Sequence, residues 1–159
     1  MLTVHLTSSV GWIGAVIAYL CLDITAVASQ DVQLVKAAYF AMELTALYVL
    51  VPLALGSMLT GIVQALGTPW GLFRHYWVVI AFLLTVLSTV VLLIETQTIS
   101  YLAEVARSSA DPRTLPGTLP HSIGGLVVLL IITVLNVYKP RGLTPYGWRK
   151  QHEETASQA

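Results

Sequence analysis

The sequence predicts an all-α integral membrane protein, an up-down four-helix bundle, and three observations carry that expectation. Of its 159 residues, 56% are hydrophobic and only 10% charged, where a soluble domain carries roughly 25% charged residues. Four apolar stretches reach or approach the ~20 residues that a helix needs to cross a bilayer. The first three are joined by short connections, which makes successive helices antiparallel neighbours. Net charge is zero and no run of basic residues exists, so nucleic-acid binding has no electrostatic footing. The single cysteine, Cys21, cannot form an intramolecular disulfide and says nothing about redox compartment.

The first span is expected at about Leu6–Ala28. Gly11, Gly14, Ala15 and Ala18 give it a small-residue face that lets another helix approach closely. Val10–Leu22 followed by Ala26-Val27-Ala28 has the form of a signal-peptide core and cleavage site. No Lys or Arg precedes Val10, however, so the stretch is read as a retained span. A short polar turn, Gln30–Gln33, leads to a second span of about Val35–Leu66. That segment exceeds what a ~30 Å hydrocarbon core requires, so tilt, a kink near Pro52 or emergence from the bilayer must absorb the excess. Gly56, Ser57, Thr60 and Gly61 form its packing face, and Thr60, Gln64 and Asn136 read as interhelical hydrogen-bond partners.

Gly67–Gly71 turns the chain, with Thr68 held out of the helix by Pro69. The third span follows at about Phe73–Leu102, and the proline-containing stretch Ala103–Pro120 is the one long loop. The fourth span is expected at His121–Tyr138, stopped by Lys139-Pro140. Residues 1–140 thus form a single transmembrane domain, and residues 141–159 a polar cytoplasmic tail frayed towards its end.

Four spans put both termini on one side. That side collects Arg74, Lys139, Arg141, Arg149 and Lys150; the other collects Lys36, Arg107 and Arg113. The positive-inside rule therefore places both termini in the cytoplasm, for a multi-pass protein of the inner membrane. Trp12, Trp70, Tyr76, Trp77 and Tyr138 fall near the cytoplasmic ends, where interfacial aromatics belong.

Two groups of residues can carry chemistry. His5 and His75 lie at the cytoplasmic ends of spans one and three, at matched depth on different helices. A bis-histidine b-type haem needs such a pair, copper or zinc could use it, and either residue can equally be an interfacial histidine half in water. Trp12 follows His5 by two helical turns and can wall an apolar pocket or simply pack. In the outer half, Asp23, Glu43 and Glu95 lie within apolar stretches, and His121 opens the fourth span. Charge inside a bilayer is expensive, which makes these functional candidates, although Asp23 is close enough to its span's end to snorkel or cap. Together they can bind a cation, relay protons, or stay protonated and hold helices together; the spacing does not choose. No phosphate loop, nucleophile elbow, Cys-x-x-Cys or Cys-x-x-Cys-His pattern is present, so any haem is non-covalent.

His5 with Trp12 and Gly14 resembles the opening of the copper-resistance D membrane family and its relatives. That group is similar to the HemJ-type protoporphyrinogen oxidases, four-span bundles associated with b-type haem. Thr68-Pro69-Trp70-Gly71-Leu72 resembles the turn before the third span in copper-resistance D relatives, and Val137-Tyr138-Lys139-Pro140 the Lys-Pro close of the oxidase group. The resemblance implies His5 as a haem ligand. A lysine common after that turn in the copper-resistance group is replaced here by the Arg74-His75 neighbourhood, which leaves a place for His75 as second axial ligand. The departure counts against copper transport, as does a methionine set limited to Met1, Met42 and Met58.

The leading expectation is therefore a membrane protein binding haem b through His5 and His75, with Trp12, Trp70 and Arg74 around the cofactor. It would pass electrons or assist haem- or porphyrin-linked redox at the cytoplasmic face, an oxidoreductase if it is an enzyme. The alternatives are binding or transport of copper or another divalent cation through His121, Glu43, Glu95 and Asp23, and a non-catalytic subunit of a larger membrane complex. A redox partner, a membrane complex or a second copy of the chain would be the partners besides lipid.

Overall fold

Apolar runs and their polar interruptions resolve into six α-helices: α1 (Leu2–Ala28), α2 (Val32–Thr45), α3 (Val51–Leu66), α4 (Tyr76–Ser108), α5 (Leu119–Tyr138) and α6 (Pro145–Ala156). They are taken from a computed structural model that describes residues 2–157. Met1 and residues 158–159, which belong to the expected domain and tail, lie outside the described residues. Among the described residues, α1, α2 with α3, α4 and α5 are each long and apolar enough to cross a membrane.

Local chemistry sets the element ends. Asp31 caps α2, its carboxylate accepting from the Gln33 and Leu34 amides. The second long helix does not break between α2 and α3; it widens into a π-helical turn at Ala46–Leu50. Pro52 follows directly, lacks an N–H, and its ring crowds the carbonyl four residues back. Widening the preceding turn relieves that crowding, so the irregularity expected near Pro52 is a π turn just upstream. Lys139 ends α5 in the left-handed region at φ 46°, its amide on the Leu135 carbonyl, and Pro140 prevents continuation.

α1 packs on the α2–α3 helix and on α5; α4 packs on the same two, so α1 and α4 face each other across the bundle. The bundle has two ends. The loop end holds the 29–31 turn and the 109–118 loop; the terminal end holds the start of α1, the 67–75 turn and α6. Many of the best-buried residues sit towards the loop end, among them Val35, Tyr39 and Met42 of α2 and Ile99, Ala103 and Ala106 of α4.

Expected boundaries move: α1 begins four residues before Leu6, α2 three before Val35 and α5 two before His121, and both ends of the third span shift. The third span begins at Tyr76, three residues late, because Phe73 and Arg74 are engaged by the chain's tail. It runs to Ser108, six residues beyond Leu102: Ala103 and Ala106 are good helix formers that pack inward, so the helix outlasts its own hydropathy. The 103–120 loop correspondingly shrinks to residues 109–118.

Most of the polar tail is helical, over Pro145–Ala156. Thr144 caps α6, its hydroxyl accepting from the Gly147 amide and donating to the Phe73 carbonyl at 2.6 Å. The Thr144 amide donates to Arg74 O, the Tyr76 amide donates to Gly142 O, and Arg74 pairs with Glu154. Gly147 lies so close to the Arg74 carbonyl that any Cβ would overlap it. Backbone pairing thus docks α6 under the start of α4.

Candidate functional site

His5 and His75 are held by separate neighbourhoods. The His5 ring lies on the seam between α1 and α3: Nδ1 donates to the Ser57 carbonyl at 3.1 Å, with Thr60 Oγ1 at 3.2 Å. Gly61 makes room for it, since a Cβ there would sit 3.0 Å from His5 Cε1. His75 precedes the first turn of α4, and its Nδ1 donates to the Trp70 carbonyl at 2.8 Å. Trp70 meets the rings of His75 and Trp77 edge-on at 5.2 and 5.7 Å, with the Lys139 ammonium 5.2 Å from its ring centre. Arg74 is spent on Glu154 and the Pro69 carbonyl. Each imidazole, with Nδ1 on a main-chain carbonyl, has the form of a metal ligand taken singly. The two have no hydrogen-bond partner in common, and neither lines the bundle's main cavity.

The outer residues divide three ways. Glu43 pairs with Arg107, which also holds Glu104. Asp23 does not snorkel; it is fully buried and bonded across the bundle. Its Oδ1 accepts from the Thr118 amide at 3.0 Å, and its Oδ2 from the Thr118 hydroxyl at 2.9 Å and the Ser122 hydroxyl at 2.5 Å. Thr118 is the residue on which α5 begins, so a carboxylate from α1 caps another helix. The Tyr19 hydroxyl joins the network at 3.2 Å from Thr118 Oγ1. Gly117 lies against Val27 and Asp23 too closely to tolerate a side chain. Among the described residues, no group of three or more His, Cys, Asp or Glu side chains is arranged to hold a metal ion.

Glu95 and His121 are brought together. The His121 Nε2 lies 3.3 Å from Glu95 Oε1, the imidazole about half exposed and the carboxylate mostly buried. Glu95 Oε2 is buried without a hydrogen-bond partner. Both residues line a cavity of about 290 Å³ between α1, α4 and α5 that also reaches the π turn. Trp12, Val16 and Tyr19 form its α1 wall; Leu50, Leu92 and Leu129 line the interior. Trp12 does wall an apolar pocket, but this one and not a space beside His5. Leu87 and Val91 border the cavity and are exposed on the outer face of α4, so it opens sideways between α4 and α5. At Gly124 and Gly125, an added Cβ would meet nothing within 4 Å; this is the gap.

Sequence reasoning singled out Glu95, His121, Asp23 and Trp12 but missed Tyr19, Thr118, Ser122 and the glycine pair. The Gly124-Gly125 dipeptide inside an otherwise Leu/Ile/Val-rich span was the readable signal for a recess. Thr60 is an interhelical partner as expected, whereas Asn136 bonds within its own helix and Gln64 Oε1 is buried unpaired. No protein-family model, curated protein or solved structure matches the chain, so the likeness to the copper-resistance D and oxidase group rests on its short motifs.

Proposed function

We propose that the chain crosses the bacterial inner membrane four times, with both termini cytoplasmic, and binds a lipophilic ligand that enters the α1–α4–α5 cavity from the bilayer. The charge layout supports the orientation. The terminal end carries Arg74, Lys139, Arg141, Arg149 and Lys150 against Glu153 and Glu154. The loop end carries Lys36, Arg107 and Arg113 against Asp23, Asp31, Glu43, Glu95, Glu104 and Asp111.

One observation carries the binding reading: an apolar cavity ends in the Glu95–His121 carboxylate–imidazole pair, with Glu95 Oε2 buried and unpaired behind it. An unpartnered buried carboxylate oxygen is costly and asks for a donor, while the remaining wall asks for hydrocarbon. Ligands with an apolar body and one polar head answer both demands, and such sites commonly lie between helices.

The test is photolabelling in nanodiscs with a neutral phenylalkane carrying a diazirine. Adducts are expected on cavity residues of α1, α4 and α5. Gly125→Leu, placed where a Cβ meets open space, should cut cavity labelling about tenfold or more without lowering the melting temperature. Labelling spread over all lipid-facing surfaces and indifferent to Gly125→Leu would overturn the reading. A haem on His5 and His75 is a separate proposal, supported by the motifs and by the Nδ1–carbonyl bonds at both imidazoles. Soret and α bands in a reduced-minus-oxidised spectrum, lost in both His5→Ala and His75→Ala, would put it first; a protein without those bands after expression with added haem would sink it.

A further inference from the structure

We propose that the ligand of this cavity is a lipophilic organic cation, an alkyl- or aryl-substituted ammonium; this rests on the binding reading above. The electrostatics of the lining come first. The titratable groups facing the cavity are Tyr19 from α1, Glu95 from α4 and His121 from α5, while the π turn contributes only Ala46 and Leu50. Among the described residues, no Lys or Arg lines it. Asp23 lies one hydrogen bond behind the lining, held by Thr118 and Ser122, hydroxyl and amide donors without formal charge. The nearby arginines are committed elsewhere: Arg107 to Glu43 and Glu104, Arg113 to Asp111. The lining thus holds one carboxyl group paired only with an imidazole and backed by a second carboxyl group, and among the described residues no Lys or Arg answers them.

The candidate ligands sort on this field. An anionic amphiphile would bring like charge into a low-dielectric space, where repulsion is weakly screened. A bare metal ion requires several ligands at once, and the described residues offer no such cluster. A neutral hydrocarbon fills the wall but leaves Glu95 Oε2 unpartnered. An organic cation places its charge near the Glu95 carboxylate and its substituents against Val16, Leu50 and Leu129. Trp12 and Tyr19 line the same wall and supply the rings that attract an ammonium group. The sideways opening past Leu87 and Val91 suits a ligand already dissolved in the bilayer.

The experiment uses the full chain in nanodiscs free of choline lipids. It measures binding of phenylbutylammonium, its uncharged isostere with a methyl group replacing the ammonium, and a phenylbutylsulfonate. The cation should bind about tenfold or more tighter than the isostere, and the sulfonate weakest. Glu95→Gln, nearly the same size and able to fold in the same way, should bring cation and isostere together while leaving isostere affinity unchanged. Gly125→Leu should weaken both. Equal affinities in the unmodified protein, or a cation preference that survives Glu95→Gln, overturn the cation inference and leave the cavity reading standing. Failure of both cation and isostere to bind, or binding untouched by Gly125→Leu, removes both.

Discussion

The two ends of this bundle are held together by different chemistry. At the loop end, side chains reach across long stretches of sequence to main-chain groups. Asp23 caps α5 through Thr118, the Tyr39 hydroxyl donates to the Pro116 carbonyl, and the Arg113 guanidinium reaches the Gln30 carbonyl. At the terminal end, the chain is tied mainly backbone to backbone around Arg74, Tyr76, Gly142 and Thr144, with Trp70, His75 and Trp77 packed edge-to-face beside them. Gln64 Oε1 and Trp77 Nε1 are buried there without partners. The difference matters because the cavity lies where the tight end begins. Its polar wall, Tyr19, Thr118 and Ser122 backed by Asp23, is fixed, whereas α5 buries only Ser122 and Leu129 along its length. A helix pinned at its first turn and lightly packed beyond it can move aside to admit a ligand.

The sharpest way to break the comparison is to remove the tight end's central acceptor. Asp23→Ala strips a partner from the Thr118 amide and from two hydroxyls in a buried setting. Stranded donors of this kind cost about 1–3 kcal/mol each, so the bundle should lose about 3–5 kcal/mol in denaturant titrations in detergent. Asp23→Asn, which keeps one acceptor oxygen, should lose less. If both variants melt like the parent, the loop end is not the stabilising end.

The terminal end should fail locally instead. Gly147→Val forces a side chain into the Arg74 carbonyl, so α6 must lift and forfeit its Thr144 and Glu154 contacts. Amide exchange over residues 145–156 should rise sharply, while the bundle loses about 1 kcal/mol or less. A global loss comparable to that of Asp23→Ala would show that α6 is integral to the core.

Legibility in the sequence divides along the same line. Four apolar runs announce four long helices because hydropathy is a local property, and the kink near Pro52 is readable from one residue's missing N–H. The α6 signature was present too: Thr144-Pro145 is a cap with a first-turn proline, obscured by the polarity of residues 149–154. Asp23 was visible as a carboxylate within an apolar stretch, but its partners Thr118 and Ser122 lie far along the chain, at and beyond the start of a different helix. Glu95 and His121 were both singled out, yet nothing in their spacing pairs them in preference to Glu43 or Asp23. Long-range pairing depends on how helices are rotated against one another, and a single sequence carries no direct record of rotation.

His5→Ala probes the looser end at one side chain. It removes the bond to Ser57 O and the contact with Gly61, in a half-buried place where the carbonyl is also served within its own helix. The expected loss is about 1 kcal/mol, well below that of Asp23→Ala. A loss equal to Asp23→Ala would erase the contrast between the ends.

The smallest effect should come from the loop's own ion pair, and its direction with pH is set. The Arg113 side chain, then the Arg113 amide, hold the Asp111 carboxyl down at about 2, below the usual carboxylate range. A carboxylate depressed on folding contributes stability that is present above its unfolded value and lost as pH falls through the folded one. The pair should therefore be fully effective near neutrality and disappear between about pH 4 and pH 2. Both side chains are exposed, so the change should be small and weaker still in high salt. Asp111→Asn separates charge from geometry, because its amide oxygen can still accept from the Arg113 amide and keep the short 3₁₀ turn capped. In that variant, amide exchange across residues 112–115 should lose its acid dependence while the melting temperature of the bundle stays put. A large fall in bundle stability would instead mean that the loop is held by this exposed pair and not by Asp23 and Tyr39 beneath it.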